Sequence, residues 1–333
     1  MKIAIIGGGS WGTALAIVLS RSRNSHELHL WIREPELAAS TRETRVNEVY
    51  LPGVSLPAEV AVTNDLGEAL AGAEIVLSVI PSQFVRGLYR QMLPYLTPGM
   101  VFVSATKGIE NSTLLRISQV IEETVGEKLR SRVAALSGPT FAREIARGDP
   151  AAVVIASRDE ELTRTIQRAF SGPTFRLYTN RDITGVEMGG ATKNIIAIAA
   201  GVCHGLGLGS NSMAALITRG LVEITRLACA CGAQKETLGG LAGLGDLVLT
   251  CTGALSRNRS VGVELGKGRS LQEITSSMRM VAEGVGTTVA TVKLAHEKGV
   301  EMPITAQMHA LLYEGRSPQD AIRELMERTL KHE

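Results

Sequence analysis

The 333-residue chain carries 35 Lys and Arg against 33 Asp and Glu, a formal net charge of +2, and 44% of it is hydrophobic. That near-neutral balance, without a basic stripe, argues against a nucleic-acid binder, and no uninterrupted apolar run reaches the ~20 residues of a membrane span. The length predicts two domains, and the apolar run Ile3 to Ile6 is too short for a signal-peptide core, so the chain reads as a cytoplasmic enzyme.

The first element, Lys2-Ile3-Ala4-Ile5-Ile6, reads as a strand, and the pattern from Thr13 to Leu19 reads as a helix. Between them, Gly7, Gly9 and Gly12 fill G-x-G-x-x-G in the strand-turn-helix setting that a dinucleotide site requires. Gly7 permits the tight turn, Gly9 lets the backbone approach a pyrophosphate at the helix N-terminus, and Gly12 lets the helix pack closely on the strand. The second strand, Leu28 to Ile32, ends on Arg33-Glu34. Arg33 at this position favours a 2'-phosphate and hence NADP(H), whereas Glu34 keeps NAD(H) open. A guanidinium stacked on the adenine face would serve either cofactor.

Further strands are predicted at 60–63, 75–79, 100–104, 133–136 and 152–156, with helices between most of them. This alternation predicts an α/β fold whose N-terminal part, residues 1–179, is a Rossmann-type doubly wound parallel sheet. Ligands bind beyond the carboxyl ends of such strands. Ile80-Pro81-Ser82, Ala105-Thr106-Lys107-Gly108 and Ser137-Gly138-Pro139-Thr140 all fall there. From about Asn180 strand signals fade, and residues 180–333 predict an all-helical domain with amphipathic helices around 221–228, 288–295 and 310–313. A substrate cleft is expected where the two domains meet.

Within the helical half, Lys193 stands almost alone in the uncharged tract from Met188 to Thr218. An ammonium among small apolar side chains loses solvation, so either a carboxylate pairs with it or its pKa falls, and both outcomes suit a proton-transfer lysine. The plainer alternative is a lysine near a helix start that snorkels to water. Two segments bear on the choice. Gly239-Gly240-Leu241-Ala242-Gly243-Leu244-Gly245-Asp246 ends a glycine-dense loop on one carboxylate, which could meet a substrate hydroxyl or Lys193, or cap the following helix. Ser256-Arg257-Asn258-Arg259 opens a predicted helix continuing through Val261 and Leu265, either as a phosphate site or as a solvated charge run.

The four cysteines, at 203, 229, 231 and 251, have no C-x-x-C spacing and no neighbouring histidine cluster, so buried free thiols are expected and no metal. A nucleophilic Cys251 is disfavoured because no base or cation is evident beside it.

Seven segments in order, Gly7 to Ala14, Asn47-Glu48-Val49-Tyr50-Leu51-Pro52-Gly53, Ala105 to Gly108, Ser137 to Ala142, Gly190 to Asn194, Leu241 to Asp246 and Ser256-Arg257-Asn258, together resemble the bacterial NAD(P)-dependent glycerol-3-phosphate dehydrogenases. The resemblance implies reversible interconversion of sn-glycerol 3-phosphate and dihydroxyacetone phosphate, feeding glycerophospholipid synthesis, with Lys193 as proton acceptor. It implies cofactor contacts from Ser10, Trp11, Arg33, Lys107, Ala142, Arg257, Val281 and Glu283, and substrate contacts from Lys107, Gly138, Thr140, Lys193, Asp246, Ser256, Arg257 and Asn258. Val281 and Glu283 lie in Met280-Val281-Ala282-Glu283-Gly284, which matches the family pattern only in part. The expected partner is a small phosphorylated substrate, and a homodimer is left open. Rival expectations are an enzyme for a hydroxy acid, which should want a carboxylate clamp, a sugar-nucleotide oxidase, which should want an activated cysteine, and a non-catalytic nucleotide sensor.

Overall fold

The computed structural model describes residues 1–127, 132–278 and 282–329. Its first strand, β1 (Lys2–Ile6), sends Ile3 and Ile5 into one apolar cluster and Ala4 and Ile6 into another, so both faces of the strand are covered. That two-sided burial is why the strands read as short continuous apolar runs. The chain continues through α1 (Ser10–Ser20), β2 (Glu27–Trp31), α2 (Pro35–Thr44), β3 (Val60–Thr63), α3 (Leu66–Leu70), β4 (Ile75–Ser78), α4 (Val85–Met92) and β5 (Val101–Ser104). Next come α5 (Ile117–Val125), β6 (Val133–Ser137), α6 (Ala142–Arg147), β7 (Ala151–Ala156), α7 (Glu160–Phe170) and β8 (Phe175–Asn180). The strands form one sheet in the order β3-β2-β1-β4-β5-β6-β7-β8. Every pairing is parallel except that of β6 with β7.

Two features depart from the sequence reading. The sheet has an eighth strand, β8, and β7 runs against its neighbours on one side. Helix α6 has six residues, about 9 Å, too short to carry the chain back along the five residues of β6, about 16 Å. The chain therefore enters β7 from the end at which β6 left. Strand β8 escaped notice because it lies at the sheet edge and alternates buried Phe175 and Leu177 with exposed Arg176 and Tyr178.

The chain divides into two compact units, residues 1–107 with 115–187, and residues 108–114 with 188–333. The sequence reading drew one limit at 179/180 and had no signal for the short excursion at 108–114. Among the described residues of the second unit the regular elements are helical: the greater part of α8 (Ile183–Gly205), then α9 (Ser210–Ala230), α10 (Lys235–Leu238), a π-helical turn at Leu241–Gly245 and α11 (Asp246–Thr252). They are followed by α12 (Arg257–Gly266), α13 (Leu271–Ser277), α14 (Glu283–Glu297), α15 (Pro303–Tyr313) and α16 (Pro318–Met326). Ile195, Ile196 and Ile198 of α8, Leu227 of α9, Leu247 and Cys251 of α11 and Val261 of α12 share its core.

Helices α8 and α12 touch backbone to backbone. A Cβ on Gly201 would lie 2.0 Å from the Arg259 carbonyl oxygen, and one on Gly262 1.9 Å from that of Ile198. The paired sequences Gly201-Val-Cys-His-Gly205 and Gly262-Val-Glu-Leu-Gly266 exist to allow that approach. It brings the N-terminus of α12 alongside the helix that carries Lys193. Among the described residues no single helix is long and apolar enough to cross a membrane, and one bent pair, Lys235–Thr252 with Arg257–Gly266, passes by length and composition only across a 48° break.

Candidate active site

In the first unit the strand order reverses at β1, which pairs with β2 on one side and β4 on the other. The carboxyl end of such a strand is where open α/β sheets bind ligands. The glycine turn stands there. Gly7 adopts φ +123, and a Cβ on it would sit 2.4 Å from the Val79 carbonyl oxygen, while one on Gly12 would sit 1.8 Å from that of Gly7. Beside Gly9, by contrast, a Cβ would meet nothing within 4 Å. So two glycines are demanded by the protein's own packing, and the third borders open space at the N-terminus of α1, whose first turn carries no acidic residue. The indole Nε1 of Trp11 is buried with no hydrogen-bond partner among the described residues. An open glycine, a helix N-terminus and an unmatched buried donor together fit a dinucleotide phosphate. Ser10 Oγ donates to the Tyr50 carbonyl at 2.5 Å.

Arg33 lies just past β2 with its side chain 71% exposed and reaches Glu34 Oε1 at 2.8 Å. It is available to a ligand phosphate at the cost of one surface ion pair, worth ~0–1 kcal/mol. Beyond β5, Lys107 Nζ donates to the Gly138 carbonyl at 3.0 Å and to Thr140 Oγ1 at 3.2 Å, and the Thr140 hydroxyl donates to the same carbonyl at 3.1 Å. Three residues singled out in sequence, 31 and 33 positions apart, thus form one polar cluster. Ala142 opens α6 next to it in sequence and packs on the core that α1 shares.

In the second unit Lys193 sits in the middle of α8, 5% exposed, and does not snorkel. Its Nζ donates to Asp246 Oδ1 at 2.7 Å and to Thr250 Oγ1 at 2.5 Å. Asp246 is fully buried and begins α11, with Gly245 rather than Asp246 as the capping residue. The carboxylate therefore faces the ammonium instead of capping its own helix. The Thr250 hydroxyl, one turn on, donates to the Asp246 carbonyl at 2.6 Å and accepts from Lys193. Sequence reasoning missed Thr250, although its i+4 spacing from Asp246 places it on the same helix face.

Ser256 caps α12, its Oγ accepting from the Arg259 N–H at 3.2 Å, and Arg257 follows with an exposed side chain. Asn258 Nδ2 donates to Asn194 Oδ1 at 3.0 Å, and Asn258 Oδ1 accepts from the Gly284 N–H at 2.9 Å. This amide ties α12 to α8 and to the start of α14, where Glu283 is the first helical residue. Asn194, next to Lys193, is a second residue whose part was not anticipated. Val281 lies outside the described residues. Cys251 is fully buried, and burial pushes its thiol up to about 12 against the opposing pull of Lys193 and Arg259. It is no activated nucleophile.

Comparison with known proteins adds the lineage. Residues 2–163 match the N-terminal part and residues 182–323 the C-terminal part of the NAD-dependent glycerol-3-phosphate dehydrogenases. The chain belongs to that family. A glycerol-3-phosphate dehydrogenase [NAD(P)+] of Koribacter versatilis is 63% identical over 98% of this chain and 97% of the relative. That of Citrifermentans bemidjiense is 54% identical over 100% of this chain and 98% of its own length. The crystal structure of glycerol-3-phosphate dehydrogenase from Coxiella burnetii, 40% identical, superposes with a TM-score of 0.92 over 98% of this chain and 99% of that one. The glycine turn falls within the N-terminal match and the Lys193–Asp246 pair within the C-terminal one.

Proposed function

We propose that this chain is an NAD(P)-dependent oxidoreductase that interconverts sn-glycerol 3-phosphate and dihydroxyacetone phosphate, with Lys193 as general acid and base, and that it supplies glycerol 3-phosphate for glycerophospholipid synthesis. The observation that carries the reading is the buried Lys193–Asp246 pair in a chain of this family. When bound, the nicotinamide cofactor supplies the hydride acceptor for the alcohol and the hydride donor for the ketone.

The protein's own residues do the rest. As the alcohol is oxidised its hydroxyl proton passes to Lys193 Nζ in its neutral amine form, and in reduction the ammonium returns it to the forming alkoxide. A positioned acid/base of this kind contributes roughly 10²–10⁴-fold. Asp246 and Thr250 hold Nζ in place at 2.7 and 2.5 Å. Asp246 also provides the compensating charge without which a buried ammonium is costly. The substrate phosphate, remote from the reacting carbon, is assigned to Ser256, Arg257 and Asn258 at the N-terminus of α12, where the helix dipole and the guanidinium act together. Lys107, Gly138 and Thr140 complete the proposed substrate contacts. The cofactor is assigned to Gly7, Gly9, Ser10, Trp11 and Gly12, with Arg33, Lys107, Ala142, Arg257, Val281 and Glu283.

Arg33 supports NADP(H) as the preferred cofactor, its exposed guanidinium being the cation nearest the end of β2 in sequence. The proposal extends to a cytoplasmic enzyme and a homodimer, checked by fractionation and light scattering. The deciding experiment follows NADPH absorbance with dihydroxyacetone phosphate, with NADH in parallel. Lys193→Met should abolish turnover while NADPH binding is kept, and Arg33→Ala should weaken NADPH but not NADH. Substantial residual turnover in Lys193→Met would rule out its role as acid and base.

A further inference from the structure

The loop Asn47-Glu48-Val49-Tyr50-Leu51-Pro52-Gly53 supplies no group to the proposed reaction, yet its first residue is a fully buried asparagine. Asn47 Nδ2 donates to the Gly8 carbonyl at 2.8 Å and to Thr13 Oγ1 at 3.0 Å, while Asn47 Oδ1 accepts from the Tyr50 N–H at 3.1 Å. Both ends of the amide are used, and the Tyr50 donor settles which end is oxygen. The loop is itself tied down by the Ser10 hydroxyl on the Tyr50 carbonyl, and the segments on either side of it are joined by the Arg45 guanidinium on the Val60 carbonyl at 2.9 Å.

The consequence follows from peptide geometry. The Gly8 oxygen and the Gly9 N–H belong to one planar trans peptide and point in opposite directions. Holding the oxygen against Asn47 therefore turns the Gly9 N–H away from the loop. Three consecutive glycines would otherwise leave this peptide free to rotate, and fixing it only when ligand arrives would cost affinity. We infer that Asn47 is a positioning residue for the anion-binding turn, fixing the direction of the Gly9 N–H and so pre-organising a donor for the pyrophosphate of a dinucleotide. The inference rests on the proposed placement of the cofactor at that turn.

Asn47→Ala removes the brace, and Asn47→Asp keeps the side-chain shape and the bond from Tyr50 but replaces the donor facing Gly8 with an acceptor. Each is compared with the wild type by NADPH titration, thermal melting and steady-state kinetics. The Kd for NADPH should rise about tenfold in Asn47→Ala, the equivalent of one hydrogen bond at ~1.4 kcal/mol. In Asn47→Asp it should rise at least as far, and the uncharged Asn47→Ala separates loss of the brace from repulsion between the new carboxylate and the anionic cofactor. At saturating NADPH, kcat should fall by less than about threefold, a split that general loss of fold would not give. Gly9→Val serves as the control, because a Cβ there meets no protein atom within 4 Å and the branched side chain would stand on the side proposed for the ligand. If Gly9→Val loses NADPH while folded Asn47 variants bind within twofold of wild type, the inference fails and the cofactor placement stands. If Gly9→Val binds NADPH normally, the placement itself fails and takes the inference with it.

Discussion

Removing the negative partner of Lys193 should cost stability and turnover by separable routes. At 2.7 Å and an effective dielectric of about 20, the Lys193–Asp246 attraction is about 6 kcal/mol, set against a desolvation penalty of several kcal/mol for each ion. The pair therefore adds little net stability. Taking away one member leaves the other buried and uncompensated, and such changes cost ~3–5 kcal/mol. Asp246→Asn keeps a carbonyl oxygen that can accept from Nζ, which places it near the lower end, at ~3 kcal/mol. The double variant Lys193→Met/Asp246→Leu replaces the pair with apolar groups of similar size and should recover most of that loss while remaining inactive. Urea denaturation of the wild type, Lys193→Met, Asp246→Leu and the double variant gives the coupling energy, Asp246→Asn is measured beside them, and dihydroxyacetone phosphate-dependent NADPH oxidation gives activity. A loss below ~1 kcal/mol in Asp246→Asn, or a double variant no more stable than the single ones, would refute the account of a buried pair kept for chemistry rather than for stability.

Arg257→Ala should raise KM for dihydroxyacetone phosphate by at least about tenfold, one lost charge-assisted contact, with a smaller effect on kcat; unchanged kinetics would remove the phosphate from this helix. Glu223 offers a pH test. Burial pushes its carboxyl up to about 7, even though it accepts from Ile304 N–H, Thr305 N–H and the Thr305 hydroxyl. Between about pH 4.5 and 7 the folded state holds a proton that the unfolded chain has released, so this group's contribution falls as pH rises, by ~3 kcal/mol in all. The stability of the wild type relative to Glu223→Gln, measured by urea unfolding at pH 5 and 7.5, should shrink accordingly; a constant or growing difference would contradict it. Gly262→Ala would force a Cβ to within 1.9 Å of the Ile198 carbonyl and should destabilise by more than ~2 kcal/mol in thermal or urea unfolding.

Much of the candidate site was readable because its signals are local. The glycine turn follows an apolar strand directly, and a charged lysine in a long uncharged tract stands out wherever its partner lies. Asp246 could be proposed as that partner because it is the one carboxylate ending the glycine-dense loop. What escaped was whatever depends on contacts far apart in sequence. Asn47 looks like any loop asparagine until Gly8 is found 39 residues away on its amide. Thr250 and Asn194 act through helix faces whose direction the sequence does not specify. The reversal of β7 was hidden for a related reason: a six-residue helix and a full crossover begin with the same kind of residues, and the difference is one of length along the sheet. The glycines of α8 and α12 were visible as composition, but not as a matched pair.

That matched pair bears on which molecules the enzyme can accept. At Gly201 and Gly262 the two helices meet main chain to main chain, so at those positions no side chain lies between them to yield by changing rotamer. Under the proposed assignments the proton-transfer nitrogen and the phosphate anchor are thus mounted on a fixed gauge. An alcohol with its phosphate one carbon farther away would satisfy one end of the gauge and strain the other, so the backbone spacing of the two helices would add to chain-length selectivity beyond what the side chains that touch the substrate supply.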